Sequence, residues 1–99
     1  MRSNMDNIFE ITDKTERKIR LTNTQFRHVI CHKGMENYIE EIQDTLKSPL
    51  KIVPNETGDL YNYYKYYKDR KQKAKYLQVV VKYLNGDGFV LTAYFVRHM

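Results

Sequence analysis

The sequence predicts an α+β protein: two N-terminal helices packed on a four-stranded antiparallel sheet, with residues 1–20 as an extension or an extra hairpin. Three observations carry this. Between Thr22 and Lys47 apolar residues recur at three- and four-residue steps, the spacing of one helix face. From Leu50 onward the pattern turns to alternation punctuated by turn residues. Strands that follow one another through tight connections pair antiparallel, leaving the helices to cover one face. Ninety-nine residues suffice for one modest core, so residues 1–99 are expected to form a single domain.

Ile8 to Thr12 and Arg17 to Leu21 alternate as strands do, with Asp13-Lys14-Thr15 able to turn between them; Thr15 to Leu21 also fits the first turns of a helix. Thr22 to Gly34 reads as a short helix. Thr22 is an N-cap with Gln25 three residues on, Phe26, Val29 and Ile30 form its apolar stripe, and Gly34 stands where a left-handed C-terminal residue belongs. His28 and His32, four apart, would share a face flanked by Arg27 and Lys33. Met35 to Lys47 reads as a second helix with Met35, Tyr38, Ile39, Ile42 and Leu46 inward, stopped by Ser48-Pro49. With only Lys33-Gly34 between them, the two helices would cross steeply. Strands then follow at Leu50 to Val53, Leu60 to Tyr67, Lys75 to Leu84 and Phe89 to Val96, the last two joined by Asn85-Gly86-Asp87-Gly88, a strong hairpin signal. Side-chain parity puts Leu77, Val79, Val81 and Tyr83 with Phe89, Leu91, Ala93 and Phe95 under the helices. Gln78, Val80 and Lys82 then share the opposite face with Val90, Thr92 and Tyr94, while Arg97 falls on the buried parity at a strand end.

Composition narrows the partners. The polar N-terminus has no apolar stretch of the signal-peptide kind, and the longest apolar run, Val79 to Val81, is too short for a membrane. The lone Cys31 excludes an intramolecular disulfide, and its plain reading is a small buried helix residue. A soluble, cytoplasmic protein is the expectation. Net charge is +5, and Lys65 to Lys75 holds six basic residues against one acid, so that segment accounts for all of it. Tyr61, Tyr63, Tyr64, Tyr66 and Tyr67 lead into the run, and bases beside aromatics suit phosphate contact with base stacking.

Several stretches together resemble a known group. They are His28-Val29-Ile30-Cys31-His32-Lys33-Gly34, Pro49-Leu50-Lys51-Ile52-Val53, Tyr76 through Lys82, and Leu91-Thr92-Ala93-Tyr94. In order and spacing they resemble the phage-type branch of the barnase–EndoU–colicin–RelE superfamily of small metal-independent RNases. The likeness spans roughly residues 21 to 96. It departs at Cys31, where the family favours Arg, and at Lys33-Gly34, which replace Pro-Glu. The resemblance implies RNA as partner, a possible antitoxin or immunity protein, and no cofactor.

Metal-independent RNA cleavage needs a base for the ribose 2′-hydroxyl, an acid for the leaving 5′-oxygen, and donors or cations on the phosphorane. Histidine suits either proton transfer. The candidate catalytic residues are His28, His32, Thr92 and Tyr94; the candidate RNA contacts are Arg27, Lys51, Tyr64, Tyr67, Lys82 and Arg97. A zinc reading of His28, His32 and Cys31 finds no third convincing ligand, and no metal is expected. Each residue also has a plain structural reading: His28 at the core boundary, His32 as a helix C-cap, Thr92 and Tyr94 as ordinary strand residues, tyrosines 61 to 67 as cover for the core, His98 as a frayed terminus. The altered motif leaves a second function open, a catalytically degenerate module of phage or mobile-element origin that binds RNA or a protein.

Overall fold

The computed structural model describes residues 7–69 and 73–98. The elements run β1 (Asn7–Thr12), β2 (Lys18–Thr22), α1 (Asn23–Val29), α2 (Ile39–Lys47), β3 (Lys51–Pro54), β4 (Leu60–Tyr66), β5 (Tyr76–Leu84) and β6 (Asp87–Val96). The class is α+β, but the expected four-stranded antiparallel sheet is corrected to a six-stranded mixed one in the order β1-β2-β6-β5-β4-β3. The N-terminal hairpin is part of it, because β2 pairs parallel to β6 through Ile19–Gly88 and Arg20–Phe89. Local patterning could not reveal this pairing, which joins segments 67 residues apart, as the Arg20–Asp87 contact shows. Among the described residues no helix is long and apolar enough to cross a membrane.

The β5–β6 hairpin closes as its sequence demands. Asn85 and Gly86 both take positive φ (54° and 86°) between the paired residues Leu84 and Asp87, the geometry of a two-residue type I′ turn. Farther along, the register slips: Val80 faces Thr92 but Val81 faces Val90, so Leu91 is the extra residue of a bulge. The bulge corrects the expected parity. Val90 and Ala93 are fully buried beside Val79 and Val81, whereas Phe89 belongs with Lys82 on the opposite face.

The helices are shorter than expected. Thr22 does cap α1, its hydroxyl accepting from the Gln25 N–H at 3.1 Å, but the helix ends at Val29. Val29-Ile30-Cys31 is a run of weak helix formers, and the chain passes into turns with Cys31 and His32 donating to the His28 and Val29 carbonyls. Gly34, at φ 85°, redirects it into a 3-10 turn, Met35–Asn37, before α2. The close helix pair is therefore replaced by a nine-residue connection, and Cys31 is exposed rather than buried.

One core lies between the helices and one sheet face: Phe9, Ile19 and Leu21 from the hairpin, Val29, Ile42 and Leu46 from the helices, and Tyr63, Leu77, Val79, Val81, Val90 and Ala93 from the sheet. Burial of such apolar area is the main stabilising term. Beneath the end of α2, Asp13 is buried in the β1–β2 turn. Its carboxylate accepts from the backbone N–H groups of Thr15 and Arg17 at 3.0 and 2.9 Å, and from the hydroxyls of Thr15, Tyr63 and Tyr83. The Arg17 guanidinium covers the Tyr83 ring at 4.1 Å.

Candidate functional site

Antiparallel register lines up side chains into rows across the uncovered face of the sheet. Tyr94 of β6 faces Gln78 of β5, Gln78 faces Tyr64 of β4, and Tyr64 faces Lys51 of β3. The neighbouring row is Thr92, Val80, Asn62 and Val53. Four strands thus present a band of hydroxyl, amide and ammonium groups.

His32 joins the band from the side. β2 ends where α1 begins, so beyond Phe89 the helix takes the place of a neighbouring strand along β6. Gln25 of α1 donates its Nε2 hydrogen to the carbonyl of Leu91, the bulge residue, at 3.0 Å. The turn after α1 then lays the His32 ring on the Tyr94 ring, centroids 4.7 Å apart and planes inclined by 30°. The early end of α1 makes this contact.

One tyrosine of the band is held as a hydrogen-bond donor. Gln78 Nε2 donates to Tyr94 Oη at 2.9 Å, which occupies an acceptor site and leaves the phenol hydrogen to point elsewhere. Burial pushes the Tyr64 phenol up, Asn62 partly offsets this, and nearby Tyr94 adds to the rise, so Tyr64 stays neutral and able to donate. Thr92 supplies a third hydroxyl, its Oγ1 buried without a hydrogen-bond partner among the described residues.

The other candidates lie elsewhere. His28 is exposed in the last turn of α1, and Arg27 beside it is exposed too, its carbonyl accepting from the Cys31 thiol at 3.2 Å. Because the helix stops at Val29, the two histidines no longer share one helical face, which also removes the basis of the zinc reading. Lys82 stands four residues along β5 from Gln78, about 13 Å away, across from Phe89 and Leu60. Its row continues through Arg20, which bonds Glu10 at 2.8 Å and Asp87 at 3.3 Å. Arg97 is exposed past the end of β6. Tyr67 lies on the core side, its hydroxyl bound to Asp44 at 2.7 Å and the Glu41 carbonyl at 3.1 Å, so it braces α2. The basic segment from Lys65 to Lys75 includes residues 70–72, which lie outside the described ones.

Gln78 was not singled out as a site residue from the sequence. A glutamine on an alternating strand looks like an ordinary solvent-side residue; only the cross-strand register makes it the partner of Tyr94. The hollows on α2, lined by Glu40, Glu41, Gln43, Asp44, Lys47 and Tyr67, are acidic and lie away from this band. Their charge is wrong for a polyanion.

Set beside known families, the chain matches the model of the phage-Barnase-EndoU-ColicinE5/D-RelE like nuclease2 family over residues 2–98. The chain belongs to this family. No curated protein and no solved structure matches it. Membership covers the whole described fold, the N-terminal hairpin included, and gives the protein a nuclease-like function in general.

Proposed function

We propose that the protein is a metal-independent endoribonuclease acting on RNA at the band formed by His32, Tyr94, Gln78, Tyr64 and Lys51. The observation that carries this reading is the His32–Tyr94 stack, with the Tyr94 hydroxyl held by the Gln78 amide and Tyr64 next in the same row. The scissile phosphate sits over Gln78, with its non-bridging oxygens toward the Tyr64 hydroxyl and the Lys51 ammonium. Preorganised donors of this type act where charge develops in the transition state. His32 and Tyr94 divide the proton transfers: the imidazole takes the 2′-hydroxyl proton, and the phenol, a stronger acid than a sugar hydroxyl, protonates the departing 5′-oxygen. The 2′-oxygen attacks phosphorus, the bond to the 5′-oxygen breaks, and a 2′,3′-cyclic phosphate remains. Thr92 turns its enclosed hydroxyl toward the phosphate or the ribose when RNA binds. His28, Arg27, Lys82 and Arg97 contribute charge along the path of the strand rather than at the reacting atoms.

The test is cleavage of mixed RNA by purified protein in EDTA, followed by identification of the new ends. Cyclic phosphate ends, with a roughly 10²- to 10⁴-fold loss in His32→Ala and a much smaller loss in His28→Ala, are expected. Intact RNA that nevertheless binds with a steep salt dependence would move the protein to the degenerate RNA-binding reading.

A further inference from the structure

The open face continues past the proposed catalytic band. One step farther along the strands, Tyr66 of β4 faces Tyr76 of β5, ring centroids 5.1 Å apart and planes inclined by 58°. Tyr66 is 47% exposed, an unusual amount for so large an apolar ring, and Leu50 beside it is 60% exposed. The two border a hollow of about 300 Å³ lined by Ser48, Pro49, Leu50, Lys65 and Tyr66. It opens where β3 has not yet begun, so the edge of β4 is uncovered there. Lys51 and Lys68 are exposed on either side in sequence, and Lys65 at its rim is paired with Asp44 at 2.7 Å.

We propose that the Tyr66 ring and this hollow bind one base of a single-stranded RNA, that of the nucleotide adjoining the scissile phosphate. The inference rests on the nuclease reading above and narrows its substrate class. Tyr66 stands two residues from Tyr64, about 7 Å along the strand, a step comparable to that between neighbouring nucleotides of an extended single strand. An exposed tyrosine face takes any base by stacking, while the lysines hold the phosphates on either side. A paired base cannot reach it, because within a duplex both faces of the base are covered by its neighbours. The Tyr76 ring braces Tyr66 from the next strand, so little side-chain freedom is lost on binding.

The test uses a labelled tetranucleotide of 2′-O-methyl RNA, which cannot be cut because its 2′-oxygens are blocked, and fluorescence anisotropy. Tyr66→Ala should weaken binding roughly 5- to 150-fold, the stacking of a single base, and Tyr66→Phe should bind like wild type. With one base removed at the right position, wild type and Tyr66→Ala should bind the probe alike. A blunt 2′-O-methyl duplex should not distinguish the variants. The proposal fails if folded Tyr66→Ala binds the intact tetranucleotide within twofold of wild type, or if it loses as much affinity for the duplex. It fails equally if Leu50→Ala with Tyr66→Ala alters only self-association in sedimentation, which would make the patch a protein contact. Cleavage separates the two readings: RNA cut normally by a variant with unchanged binding removes the base site alone, whereas Tyr66-dependent binding without any cleavage removes the nuclease alone.

Discussion

Gln78 donates an amide hydrogen to the Tyr94 hydroxyl at 2.9 Å, across a rung of the β5–β6 ladder. Without that donor the phenol can accept from water and swing its own hydrogen away from the substrate. Gln78→Leu should therefore lower kcat roughly tenfold or more, the scale of a misdirected donor, with little change in KM. In a double-mutant cycle, Gln78→Leu should add almost nothing to Tyr94→Phe, because both remove the same aligned hydrogen. Additive losses would mean that Gln78 acts apart from Tyr94.

Thr92 makes a sharper case, because its buried hydroxyl has no hydrogen-bond partner among the described residues. Replacing an unsatisfied buried hydroxyl with a methyl group removes a desolvation penalty without leaving a cavity. Thr92→Val should leave the melting temperature unchanged or raise it, by up to about 1 kcal/mol of stability, while RNA cleavage falls. A destabilised Thr92→Val would show that the hydroxyl serves the fold.

Gly88 sits where β2 meets β6, paired with Ile19. A Cβ there would stand 2.9 Å from Tyr83 Cε1, 3.0 Å from Ile19 Cγ1 and 3.1 Å from Val81 Cγ1. Gly88→Ala should cost about 1–3 kcal/mol by overpacking, read as a lower midpoint in urea. An unshifted midpoint would mean that the two strands separate easily.

The Asp13 cluster sets the pH limits of stability. Burial pushes the Asp13 carboxyl up, but hydrogen bonds from Tyr63, the Arg17 N–H, Thr15 and Tyr83 outweigh it and hold the group below the ordinary carboxylate range. Its contribution is therefore present above about pH 4 and is lost as pH falls through the lowered folded value. Burial raises the Tyr63, Tyr67 and Tyr83 phenols instead. Their contribution is complete below about pH 10, the ordinary phenol value, and is lost as pH rises beyond it. Chemical denaturation should give a plateau between these limits. In Tyr63→Phe the alkaline fall should shrink, and an unchanged alkaline limb would rule the cluster out as its cause.

Most elements were legible in the sequence, because each rests on local chemistry: Thr22 as a cap, Ser48-Pro49 as a stop, Asn85-Gly86 as a type I′ turn. Three features were not. The parallel β2–β6 pairing depends on contacts between distant segments, and strands that look like an appendage can be drawn into the sheet by them. The bulge at Leu91 reverses parity within a strand whose apolar residues tolerate either face. The candidate site was half visible: His32, Tyr64, Lys51, Thr92 and Tyr94 were nameable by residue type, but their grouping, and the Gln78 amide that orients Tyr94, come only from register. Tyr67 was misleading for the same reason, since one residue of parity separates it from the open face.

The place of β6 has a consequence for synthesis. The strand that comes last among these elements lies between β2 and β5, at the middle of the sheet. While a ribosome is still adding it, the N-terminal hairpin and the β3–β4–β5 sheet meet through the Asp13 cluster but share no strand pairing, and Thr92 and Tyr94 have not been made. A nascent chain therefore carries no assembled form of the proposed phosphate-binding band beside the ribosome's own RNA, and a product truncated before Asp87 would lack both the central strand and that band.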